Sequence, residues 1–115
     1  MQLRLKRAYE EPGKYDGVRV LVDRIWPRGL TKERARIDLW LKDVAPSKEL
    51  RQWFGHDPQK WPEFKRRYFQ ELGKNRNVLD DLCHVADGHR VTLVFAAKEK
   101  EYNNAVALKE YLEQD

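Results

Sequence analysis

Cysteine is almost missing from this chain. The single thiol, Cys83, excludes an internal disulfide framework and any cysteine-rich zinc site. Such thinness in thiols suits a reducing, cytoplasmic setting. Long apolar runs are missing too. None approaches the ~20 residues that cross a bilayer, and Met1-Gln2-Leu3-Arg4-Leu5-Lys6-Arg7 lacks the apolar centre of a signal peptide, so no membrane partner is expected. No phosphate-binding glycine loop, no Gly-x-Gly-x-x-Gly and no zinc spacing occurs, and no cofactor is therefore named by motif. Internal repeats and low-complexity linkers are absent as well.

What remains is a globular composition. At 115 residues the chain is expected to form one domain over 1–115, long enough for a core without staples. Four Trp, five Tyr and four Phe can fill that core, and the 37% of charged residues are interspersed with apolar ones, which argues against disorder. The net charge of +4 is uneven. Residues 1–36 carry ten Lys and Arg against five Asp and Glu, while residues 37–115 carry thirteen against fourteen. This modest basic excess favours small anions over nucleic acid, which calls for a denser Lys and Arg stripe.

Hydrophobic periodicity predicts a small two- or three-layer α/β domain, with a mostly parallel sheet and flanking helices. Leu3 and Leu5 alternate with polar residues, as in an edge strand. Val18 to Val22 is a buried strand, and Val91 to Ala97, apolar on both faces, is a central one. Asp38 to Lys42 reads as a short strand between helices. Thr31 caps a helix over Lys32 to Ile37, and Ser47 caps one ended by Gly55. Pro62 opens a third, with Trp61, Phe64, Tyr68 and Leu72 on one side and Gly73 as its stop. Asn77 with Asp80 caps a fourth, and Asn103 or Asn104 the last.

Parallel sheets place ligands beyond the carboxyl ends of their strands. Three loops should meet there: Asp23 to Gly29, Lys42 to Ser47 and Ala97 to Asn104. Arg24 and Arg28 are forks suited to phosphate or carboxylate, and Arg51 can join them from one turn inside the Ser47 helix. Ser47 and Asn104 can add hydrogen bonds, and Lys42, Lys98 and Asn103 lie on the same loops. Structural roles compete with each of these: an Arg pairing with Asp23, Arg28 lying over Trp26, Ser47 as a cap. Asp23 and His56 are the candidate acid or base residues. Cys83, beside Leu82 in a helix, reads as a small buried thiol. Asp80 and His84 share a helix face but lack a third metal ligand. The four Trp and Lys65-Arg66-Arg67 read as packing and as a wet helix face.

Several motifs in order resemble the domain of unknown function 488 family, in its YeaO-like branch. They are Val22-Asp23-Arg24-Ile25-Trp26-Pro27-Arg28-Gly29, Trp40-Leu41-Lys42, Ala45-Pro46-Ser47, Leu50-Arg51 and Trp53-Phe54-Gly55-His56. Tyr68, Glu71-Leu72, Val91-Thr92-Leu93, Ala96-Ala97 and Asn103-Asn104-Ala105 extend the match over nearly the whole chain. The resemblance implies a small Rossmann-like domain without an assigned activity, with an Asp-Arg and Pro motif on Asp23, Arg24 and Pro27. Broader members carry Cys-x-Glu and Cys-His-Arg after a late strand, where this chain has Ala96-Ala97-Lys98. Some relatives are labelled transcriptional regulators, but no helix-turn-helix with a basic recognition helix is present.

The expectation is a small anionic ligand held at the sheet's carboxyl edge, with an enzyme acting on a phosphorylated or carboxylated molecule as one outcome. The rivals are a nucleic-acid module using the basic first third with Lys65 to Arg67, and an interaction domain presenting exposed aromatics.

Overall fold

A computed structural model describes residues 2–114. Four strands, β1 (Leu3–Arg7), β2 (Val18–Leu21), β3 (Leu39–Trp40) and β4 (Val91–Phe95), pair in the order β1-β4-β2-β3, every pair parallel. Five helices flank this sheet: α1 (Lys32–Ala35), α2 (Lys48–Phe54), α3 (Trp61–Lys74), α4 (Asp80–Ala86) and α5 (Asn104–Glu113). The expected α/β class with a parallel sheet is what the chain adopts. β4 is buried at all five positions, because strands flank it and side chains cover both its faces.

The two faces are clothed differently. On one, Leu3, Val20, Val91, Leu93 and Phe95 pack against Phe54, Phe64, Tyr68, Leu82 and Leu108 from α2 to α5. Phe64 anchors this layer, stacked on Phe54 with ring centres 4.3 Å apart and on Trp61 at 5.6 Å. On the other face, Leu21 and Val94 meet Ala8, Trp26, Leu30, Ile37 and Trp40, which come from loops, the short β3 strand and the surroundings of α1.

Local chemistry sets most helix ends. Thr31, Ser47 and Asn103 accept from the backbone N–H groups of Arg34, Leu50 and Val106 and so start α1, α2 and α5. Gly55, left-handed at φ 54°, stops α2. Several expected boundaries move. α1 ends at Ala35, because Arg36 turns left-handed at φ 50° and sends the chain into β3, which is only two residues long. α3 passes through Gly73 to Lys74. Asn77 caps nothing: a 3₁₀ turn over Arg76–Leu79 runs straight into α4, and the Asp80 N–H already bonds to the Asn77 carbonyl. β4 stops at Phe95, since the Ala96 N–H leaves the ladder for the Asp23 carboxylate.

After β2 the chain passes over the thinner face toward α1, and after β4 it crosses to the helical face as α5. Adjacent parallel strands whose connections part in this way leave a crevice at their carboxyl ends.

Candidate anion site

That crevice is a hollow of about 400 Å³. Asp23 builds its floor. As the chain leaves β2, Val22 still donates to the Val94 carbonyl (3.1 Å), and the next side chain bridges to the exit of β4. One Asp23 oxygen accepts from the Ala96 N–H at 2.9 Å, the other from the Asn104 amide at 3.0 Å. That amide also donates to the Val22 carbonyl at 3.1 Å, and the Trp40 indole donates to the Asp23 carbonyl at 2.7 Å. From the end of β1, Arg7 donates to the carbonyls of Ala97 (2.9 Å) and Ala96 (3.2 Å). Three strand exits are therefore tied to one another before any ligand arrives.

Burial pushes the Asp23 carboxyl above the ordinary value; the Asn104 and Ala96 hydrogen bonds and the Arg51 charge offset only part of that. Arg51 reaches the hollow from α2, and its Nε is buried without a hydrogen-bond partner among the described residues. Arg24 is exposed on the wall, with Asp43 at a loose 3.8 Å. The Arg28 side chain makes no ion pair or hydrogen bond among the described residues, and its carbonyl accepts from the Tyr9 hydroxyl at 2.8 Å. His56 completes the rim. It is exposed and left-handed at φ 58°, directly after left-handed Gly55, so the chain swings outward from the end of α2.

The structure thus brings Asp23, Arg24, Arg28, Arg51, His56 and Asn104 around one hollow. Ser47 lies elsewhere. Its N–H and hydroxyl go to the Glu71 carboxylate while its oxygen caps α2, and it lines a smaller neighbouring hollow of about 260 Å³. Glu71 is on α3, so no local pattern announced that pairing. Lys42 rests over the Trp40 ring at 4.3 Å, Lys98 is exposed away from the lining, and Asn103 is buried as a cap. Arg28 does not lie over Trp26. That indole packs edge-on to Trp40 at 5.4 Å and donates to the Leu30 carbonyl at 2.6 Å. Cys83 is exposed on α4, contrary to the buried-thiol expectation, because Leu82 and Ala86 take the inward positions.

Sequence reasoning missed Arg7 and Tyr9. Both border the carboxyl end of β1, and a parallel edge strand delivers its exit to the same side as β2 and β4, so the signal was in the topology. Trp40 as a donor to Asp23 had no sequence signal. Among the described residues no group of side chains could hold a metal ion, and no helix is long and apolar enough to cross a membrane.

Chemically, three guanidinium groups face one carboxylate, so the hollow carries net positive charge. No Ser, Thr, Cys or Lys lines it among the described residues. Asp23 and His56 are the carboxylate and the imidazole on that lining.

Residues 2–115 match the family model described as "Inactive DUF488-N3 subclade". The chain belongs to the DUF488 family. It is 42% identical over 111 residues to the uncharacterized protein Rv3073c of Mycobacterium tuberculosis, covering 96% of this chain and 93% of the relative. It is 35% identical over 112 residues to the uncharacterized protein YeaO of Escherichia coli, covering 97% of each. The DUF488 assignment and its YeaO-like character agree with the motifs around Asp23 and Arg51. No solved structure matches the chain at a significant level.

Proposed function

We propose that this protein is a cytoplasmic binder of a small phosphorylated or carboxylated molecule, which it holds without transforming. The observation that carries the reading is Arg51: a guanidinium nitrogen buried and unpaired at the edge of a hollow that also receives Arg24 and Arg28. Leaving such a donor unmet costs about 1–3 kcal/mol, and an incoming anion recovers it. Binding without turnover is supported by the lining. Ala96 and Ala97 stand where the family resemblance places thiol and imidazole residues in broader members, and the family description carries the word inactive. Both Asp23 oxygens are already engaged in holding the strand exits together.

The nucleic-acid reading has less support, because several of its cations have partners within the chain. Lys6 and Arg19 pair with Asp16, Arg7 caps carbonyls, Lys65 pairs with Glu110, and Arg66 and Arg67 share Glu63.

Titration calorimetry with inorganic phosphate tests the proposal. Saturable binding with a shallow salt dependence is expected, weakened roughly tenfold to a hundredfold in Arg51→Met. Absence of saturation, or affinity indifferent to Arg51, overturns it. Steep, salt-sensitive binding of oligonucleotides favours the rival.

A further inference from the structure

The hollow has two unlike kinds of lining: the guanidiniums of Arg24, Arg28 and Arg51, and the side chains of Ile25, Trp26 and Tyr9. Ile25 is 69% exposed and Tyr9 44% exposed. Only Leu5 and Tyr15 join them as exposed large hydrophobics among the described residues, so two of these four line this single hollow. Tyr9 is fixed by its bond to the Arg28 carbonyl and by Arg7 over its ring at 5.1 Å, but nothing in the fold calls for an exposed Ile25. Ile25 sits outside both apolar cores, on a loop whose other apolar members, Trp26 and Pro27, are partly or fully buried. Trp26 is held rigidly by its contact with Trp40 and its bond to Leu30, so it offers a fixed surface.

The volume points the same way. About 400 Å³ is far more than a bare oxyanion fills and lies in the range of sites for whole small organic molecules. We infer that the ligand is an organic anion with a ring, a phosphate monoester or carboxylate whose charged end meets Arg51 while its ring lies against Ile25, Trp26 and Tyr9. This rests on the anion reading above and narrows it. Aromatic side chains favour offset or edge contact with a flat ring, and the removal of Ile25 from water adds a gain that a bare anion cannot collect.

Phenyl phosphate and inorganic phosphate, titrated into the wild-type protein and Ile25→Ser, separate the two claims. Ile25 is exposed, so its replacement leaves the fold intact, and circular dichroism checks this. Phenyl phosphate should bind at least about tenfold more tightly than inorganic phosphate. Ile25→Ser should shrink that advantage several-fold and leave inorganic phosphate unchanged. Equal affinity for the two probes, or an advantage untouched by Ile25→Ser, overturns the ring inference and leaves the anion site standing. If neither probe binds, the anion reading falls and this one falls with it.

Discussion

Arg19 and Arg51 belong to opposite ends of the same sheet, and their surroundings could hardly differ more. At the amino-terminal end Arg19 is 3% exposed and fully matched. It reaches the Asp16 carboxylate at 2.6 Å and gives Nε and Nη2 to the Ala35 carbonyl at 3.1 and 2.9 Å. Asp16 in turn accepts from Lys6 and the Gly13 N–H, and its carbonyl accepts from Thr92. Gly17 lets the chain pass so close that a Cβ there would stand 2.1 Å from the Arg90 carbonyl oxygen. At the carboxyl-terminal end Arg51 has a buried nitrogen with no partner, Arg24 a loose one, and Arg28 none among the described residues. One end of the sheet is closed by its own side chains, and the other leaves guanidiniums around a hollow. Formal charge counts both ends alike and does not tell a paired cation from an unpaired one.

Opening the closed end should produce the largest effect. Asp16→Ala leaves Arg19 buried and uncompensated, and is expected to cost about 3–5 kcal/mol; chemical denaturation measures it, and a loss under 1 kcal/mol would mean that the pair is dispensable. At the open end the same kind of change should do the reverse. Arg51→Met is expected to hold stability within about 1 kcal/mol of wild type, or raise it, since an unmet donor disappears; a loss as large as that of Asp16→Ala would make Arg51 a structural residue.

Acid sharpens the contrast, because the two aspartates shift in opposite directions. Burial would raise the Asp16 carboxyl, but Gly13, Lys6 and Arg19 together hold it below 3.8. Its contribution is therefore complete above 3.8 and is lost as pH falls through the lower folded value. The Asp23 carboxyl, raised by burial, binds its proton more tightly in the folded state, so it lowers stability as pH climbs from 3.8 through its folded value. Denaturation midpoints from pH 3 to 7 should show Asp23→Asn gaining on wild type as pH rises through that window. A constant difference would place Asp23 at its ordinary value.

The smallest effect on affinity belongs to the residue that left the site. Ser47→Ala removes the α2 cap and is expected to cost about 1 kcal/mol with phosphate affinity unchanged. A matching loss of affinity would return Ser47 to the hollow.

Much of this was legible in the residues themselves. Strand burial in Val91 to Phe95, the caps at Thr31, Ser47 and Asn103, and the Gly55 stop are local matters, decided by side-chain shape and by hydrogen bonds three residues away. The convergence of Asp23, Arg24 and Asn104 was readable once parallel strands were inferred, because such strands send their exits to one side. Ser47 escaped because its decisive partner, Glu71, is 24 residues distant. Cys83 escaped because one helical stripe can be drawn with more than one phase.

Residue order alone was enough for the class of fold, the caps at Thr31, Ser47 and Asn103 and most of the residues around the hollow, since periodicity and local hydrogen bonding act within a few residues. Which arginines are neutralised and which stand open was settled by folding. That depends on carboxylates and carbonyls brought together across the sheet, and a charge shows its partner only when the chain has folded.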